Sequence, residues 1–373
     1  MFEQLELLRR RTSAKWRMYP DDVLPLFVAE MDTPTAPPVR AALEAAIDLG
    51  DVGYPFGPAL PEAFTAFAGQ RWGWRPEVSR QVVLADVLSG VAEAIKLVSK
   101  PGATVVLPVP AYHPFFSLIP HLDRVVAEVT LGPTGRLDLA RLESAFRAAG
   151  GGSVFVLCNP YNPTGVVHTP EELAAVAELA NRHGLRVVAD EIHGPLVLNG
   201  ATFTPFLTVP GAETAFAATS ASKGWNLAGI KCGLLIAGEG AAEDLARLPE
   251  PPRFGATQLG VIAHTAALRD GGGWLDELLA ALADNRRLLG DLLAEQLPAV
   301  RWQPPEATFL AWLDCRALGL GDDPAAAFLE KGRVAPSSGP MFGSGGAGHV
   351  RFNFATSPEI LAEAIRRMAS AVA

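Results

Sequence analysis

Short apolar runs alternate with longer amphipathic stretches between about Gln81 and Gly238. Gln81-Val-Val-Leu-Ala, Thr104-Val-Val-Leu-Pro, Ser153-Val-Phe-Val-Leu, Leu185-Arg-Val-Val-Ala, Thr214-Ala-Phe-Ala-Ala and Cys232-Gly-Leu-Leu-Ile are apolar at consecutive positions. That is the pattern of strands buried on both faces of a mainly parallel sheet. Ser89 to Ser99 and Pro170 to His183 carry helix-forming residues, and the second opens on Thr169-Pro-Glu-Glu, a cap followed by proline and acids. Alternation of the two kinds of segment predicts an α/β domain. From about Trp274 the pattern changes to a long Leu/Ala helix, a strand-like Ala307-Thr-Phe-Leu-Ala-Trp-Leu, another helix and a strand–helix unit from Val350 onward. This predicts a smaller α+β domain, with the first forty or so residues packed against it as an arm. The expected division is an arm over 1–45, a large domain over 46–270 and a small domain over 271–373.

Composition narrows the functional classes. The chain has 373 residues, 49% of them apolar and 19% charged, enough to bury the core of an enzyme-sized protein. With 31 basic against 40 acidic residues the net charge is -9, and no long basic run suits a phosphate backbone, so nucleic acid is not an expected partner. Cys158, Cys232 and Cys315 are odd in number and far apart, which suits a reducing cytoplasm better than a disulfide framework or a metal cluster. The mixed charges of the first eleven residues and the lack of a long apolar stretch argue against export and against a membrane span.

In an open parallel sheet, ligands lie beyond the carboxyl ends of the strands. Three polar residues follow strand runs there: Asn162 in Asn159-Pro-Tyr-Asn-Pro-Thr-Gly, Asp190 in Ala189-Asp-Glu-Ile-His, and Lys223 in Ser220-Ala-Ser-Lys-Gly. Taken singly, each has an ordinary reading as a turn former, a cap or a surface lysine. Together they supply what pyridoxal 5′-phosphate demands: an amine to condense with its aldehyde and a carboxylate to keep its ring nitrogen protonated. Gly343-Ser-Gly-Gly-Ala-Gly spells a dinucleotide-binding pattern, but it precedes a strand and opens no helix, so it reads as a decoy.

Those three motifs, with Trp225-Asn-Leu-Ala-Gly-Ile-Lys continuing the last, resemble the signatures of fold-type I pyridoxal-phosphate enzymes, the aspartate aminotransferase superfamily. The resemblance covers nearly the whole chain. Ser13-Ala-Lys-Trp, Leu24-Pro-Leu-Phe-Val-Ala-Glu-Met-Asp and Gly53-Tyr-Pro resemble more narrowly the bacterial C–S lyases of cystathionine β-lyase type. The fold so implied is a three-layer α/β/α large domain with a mainly parallel seven-stranded sheet, plus the small α+β domain.

The resemblance also implies roles. Lys223 is the Schiff-base lysine, Asp190 the partner of the pyridine nitrogen, Asn162 the donor to the ring hydroxyl and Tyr112 the aromatic stacked on the ring. His193 either lies near the ring hydroxyl or supports Asp190. Ser220, Ser222, Lys231 and the amides of Val87 and Leu88 fall at the phosphate, although Asp86 stands where a glycine is commoner and would repel phosphate unless turned away to cap the helix. Tyr54 reaches the cofactor phosphate of a second subunit, which implies a homodimer with shared sites. Arg351, in His349-Val-Arg-Phe-Asn, grips the α-carboxylate of a small amino-acid substrate through its planar fork. Two activities follow from one residue set: α,β-elimination of a cysteine-derived thioether to a thiol, pyruvate and ammonia, or transamination between an L-amino acid and a 2-oxo acid. The lyase-like N-terminal motifs favour the first, and the full set of lysine, acid and arginine argues against a non-catalytic binding protein.

Overall fold

The computed structural model describes residues 1–372. Its strands are β1 Leu24–Leu26, β2 Gln81–Leu84, β3 Thr104–Val109, β4 Val125–Thr130, β5 Val154–Cys158, β6 Arg186–Asp190, β7 Phe216–Thr219, β8 Gly233–Ala237, β9 Arg301–Trp302, β10 Leu310–Asp314, β11 Val334–Ser338 and β12 His349–Asn353. Seven of them form one sheet in the order β2-β8-β7-β6-β5-β3-β4. Neighbours from β4 to β7 run parallel, whereas β8 is antiparallel to both β7 and β2. The architecture is thus α/β with a mostly parallel seven-stranded sheet, as the resemblance implies.

Each expected apolar run became a strand, and β5 is buried at every position. Of the seven strands in this sheet, the one that periodicity did not single out is β4, which sits at the sheet edge with only Val129 buried. Its residues face water on most positions, so it lacks the continuous apolar run that marks a central strand. Helix Pro170–His183 opens with the full capping box, Thr169 and Glu172 each bonding the other's backbone amide. The expected strand at Ala307 begins only at Leu310, because Thr308 takes φ +73 and its hydroxyl accepts the Leu310 amide at 3.1 Å. The stretch Gly343 to Gly348 is a loop before β12, with positive φ at Gly343, Gly345 and Gly348, and no helix follows it.

The second sheet has the order β1-β11-β12-β10-β9, and its edge strand β1 comes from the start of the chain, pairing parallel to β11. The long helix Gly272–Gln296 buries Leu275, Leu278, Leu282, Leu289, Leu292 and Leu293, a stripe at helical spacing. Among the described residues no helix is long and apolar enough to cross a membrane.

Parallel register fixes where chemistry can occur. Cys158 lies opposite Asp190, and Asp190 opposite Ala218, so the turns that leave β5, β6 and β7 emerge side by side at one sheet edge. Asn162, Asp190 and Lys223 are brought together by this arrangement alone.

Candidate active site

A cavity of about 200 Å³ opens at that edge, lined by Asn162, Asp190, Lys223, Tyr112, His193, Ser222, Lys231, Val87 and Leu88 along with Ala29, Asp86 and Cys158. The sequence-derived residues therefore converge, with three exceptions. Arg351 stands just behind the lining: it is buried and its Nη1 donates to Asn162 Oδ1 at 3.1 Å. Ser220 does not line the cavity, because its hydroxyl donates to Cys232 O at 2.7 Å and accepts the Ser222 amide at 3.0 Å. Tyr54 is 87% exposed on the chain's surface, outside the cavity.

The electrostatics of the set depart from those of surface residues. Desolvation, then the nearby Arg351 cation, bring the Lys223 ammonium down to about 8, against the opposing pull of Asp190. Burial raises the Asp190 carboxyl to about 6, although it accepts the Ile192 amide at 3.1 Å and faces Lys223. Burial, then Lys223 and Arg351, hold His193 near 3, so it is a neutral imidazole, and its Nδ1 finds no partner among the described residues. Burial also lowers Arg351, to about 10, and it remains a cation. Its Nη2 donates to Phe27 O at 2.7 Å and to Ser337 Oγ at 3.2 Å, its guanidinium lies 5.0 Å over the Phe342 ring, and its Nε is unpartnered. It makes no salt bridge among the described residues, so its charge has no carboxylate partner there and could pair with one from a ligand.

Residues 27–33 form a strap whose partners no motif disclosed. Lys223 Nζ donates to Ala29 O at 2.7 Å, and Asn353 Nδ2 donates to Val28 O and Glu30 O at 2.8 and 2.7 Å. Asn226, in the left-handed region at φ +57, pairs twice with the Met31 backbone, both bonds at 2.8 Å. Lys15 anchors the strap from the arm through a fully buried ion pair to Asp32 at 2.8 Å, and Trp16 Nε1 donates to the same carboxylate oxygen. The positions of Asn226 beside Lys223-Gly-Trp and of Asn353 beside Arg351 were the available signal for these residues.

The donor set fits pyridoxal phosphate. A lysine amine shifted toward neutrality meets the need of imine formation, and a carboxylate lies in the same cavity for the ring nitrogen. Val87 and Leu88 open the helix Val87–Val98, so their amides have no partner within it and point to an anion site.

Comparison with known proteins agrees. The family model for aminotransferase class I and II matches residues 21–368. A Mycobacterium leprae protein provisionally named cystathionine beta-lyase is 52% identical, covering 99% of this chain and 96% of its own length. The cystathionine beta-lyase of Corynebacterium glutamicum is 35% identical, with 99% of each chain covered. A crystal structure from Corynebacterium diphtheriae, described provisionally as a PLP-dependent beta-cystathionase, superposes with a TM-score of 0.94 at 38% identity, covering 100% of this chain and 98% of that one. The chain belongs to the aminotransferase class I and II family and is a pyridoxal-phosphate-dependent enzyme like the cystathionine beta-lyases.

Proposed function

We propose that this enzyme is a C–S β-lyase that cleaves an L-cysteine-derived thioether, with uptake of water, to a thiol, pyruvate and ammonia. The likeness over nearly the whole chain to cystathionine beta-lyases, at 52% and 35% identity, carries the lyase reading, while the buried Arg351 cation, bonded to Asn162 and without a salt bridge among the described residues, supports an α-amino acid as substrate. Arg351 would take the substrate α-carboxylate in a charge-assisted pair and so aim the α-carbon at Lys223. Pyridoxal phosphate, when bound, supplies an electron sink for the carbanion formed at that carbon. Lys223 Nζ would remove the α-proton and return it to the departing sulfur, and a group poised near 8 serves both directions of transfer at neutral pH. Asp190 would pair with the ring nitrogen, Asn162 with the ring hydroxyl and Tyr112 with the ring face, while Ser222, Lys231 and the Val87 and Leu88 amides would take the phosphate. Ser220 would act at one remove, holding the Ser222 amide. Tyr54 would serve a second copy of the chain, making the working unit a homodimer, and the buried free thiols of Cys158, Cys232 and Cys315 suit the cytoplasm.

The test supplies purified, cofactor-loaded enzyme with L-cystathionine and no 2-oxo acid, and follows pyruvate and ammonia. Sustained release over many turnovers is expected, and Lys223→Ala should lose it together with the visible absorbance of the lysine-bound cofactor. The family model also covers aminotransferases, and that reading predicts the opposite: one turnover, then arrest until a 2-oxo acid is added.

A further inference from the structure

Asp86 is the residue at which the sequence departs from a plain phosphate cup, and its geometry gives it a definite part. It caps the helix Val87–Val98, Oδ1 accepting both the amide and the hydroxyl of Ser89 at 2.8 Å. Its other oxygen, Oδ2, accepts Lys231 Nζ at 2.7 Å. Burial pushes this carboxyl up, but the Lys231 ammonium and the Ser89 donors outweigh burial and hold it below the usual carboxylate range. Capping thus turns the acid away from the Val87 and Leu88 amides without removing it: Asp86 still lines the cavity beside Lys231.

We infer that Asp86 is a built-in counter-charge to the cofactor phosphate, which neutralises Lys231 and keeps the cofactor exchangeable. The inference rests on the proposed phosphate site at Val87, Leu88, Ser222 and Lys231. A phosphate held there meets helix amides and a hydroxyl, but Lys231, the cation of that set, is already shared with a carboxylate on the capping residue. Repulsion between like charges a few ångströms apart in a partly desolvated cup weakens the grip on a dianion. The cofactor is then retained chiefly through its bond to Lys223 and its ring contacts, and a form of it without that bond leaves readily.

Asp86→Asn is the informative change, because asparagine also caps helices and offers Lys231 an acceptor but carries no charge. Apoenzyme titrated with pyridoxal phosphate, read by absorbance, should bind it about tenfold more tightly in Asp86→Asn than in wild type. Inorganic phosphate, which needs no reaction with Lys223, should compete for the cup of the variant at about tenfold lower concentration. Asp86→Ser, a second neutral cap, should move both readings the same way, and high salt should narrow the differences. Equal or weaker binding in folded Asn and Ser variants overturns the inference and leaves Asp86 as a group that merely aims Lys231. A wild-type chain that never saturates with pyridoxal phosphate instead removes the proposed site itself, and the inference with it.

Discussion

Burial, and then the Arg351 cation that folding brings near from 128 positions along the chain, hold the Lys223 ammonium at about 8, while burial raises the Asp190 carboxyl to about 6. The shift on Lys223 has a kinetic consequence. Only the neutral amine attacks an aldehyde, and with the ammonium at about 8 instead of its ordinary 10.5 the reactive fraction rises from about a tenth at pH 7 to about nine tenths at pH 9. The rate at which apoenzyme takes up pyridoxal phosphate is therefore expected to climb with a midpoint near pH 8. Arg351→Gln should move that midpoint upward by removing a cation that disfavours the ammonium. A wild-type midpoint near 10 would show that the site leaves Lys223 unshifted. Lys223 and Asp190 were legible in the sequence, since Asp190 ends β6 and Lys223 follows β7 and chain order carries both to one sheet edge, whereas Ser220 teaches the converse lesson. Its motif marked it as a phosphate ligand, but the choice of acceptor for one hydroxyl proton, here Cys232 O, is a local geometric matter that no spacing encodes.

Among elements, the strap is what the sequence concealed. Its bonds join residues about 195 positions apart to the lysine turn and about 325 apart to β12, and no periodicity relates such positions. It hangs on the ion pair of Lys15 with Asp32, both almost wholly enclosed. Burying a charge alone is costly, so removing one partner costs more than the pair itself contributes. Lys15→Met should lower unfolding free energy by about 3–5 kcal/mol in urea denaturation, with Lys15→Met combined with Asp32→Leu recovering part of the loss. A single variant that unfolds at the wild-type urea midpoint would show that water reaches Asp32 and that the strap is anchored elsewhere. The central strands, by contrast, announced themselves through their apolar runs, while the edge strand β4 escaped notice because it faces water.

At the scale of the molecule, the surface carries a run of exposed apolar side chains unusual for an isolated chain: Ile47, Leu49, Val52, Tyr54 and Phe56, the last fully exposed. The proposed dimer would cover them and deliver Tyr54 to the neighbouring site. Light scattering should accordingly give twice the 39.4 kDa chain mass. Phe56→Asp should shift the population toward monomer and weaken cofactor binding in step, whereas a monomeric wild type with full activity would confine the site to one chain. Within one chain, the strap ties the two sheets through alternate carbonyls, Phe27 O to the Arg351 cation on β12 and Ala29 O to Lys223 beyond β7. The nitrogen that holds Ala29 O is the one Lys223 would bond to the cofactor, so loading the cofactor should loosen that tie alone and leave Arg351, Asn226 and Asn353 holding the strap.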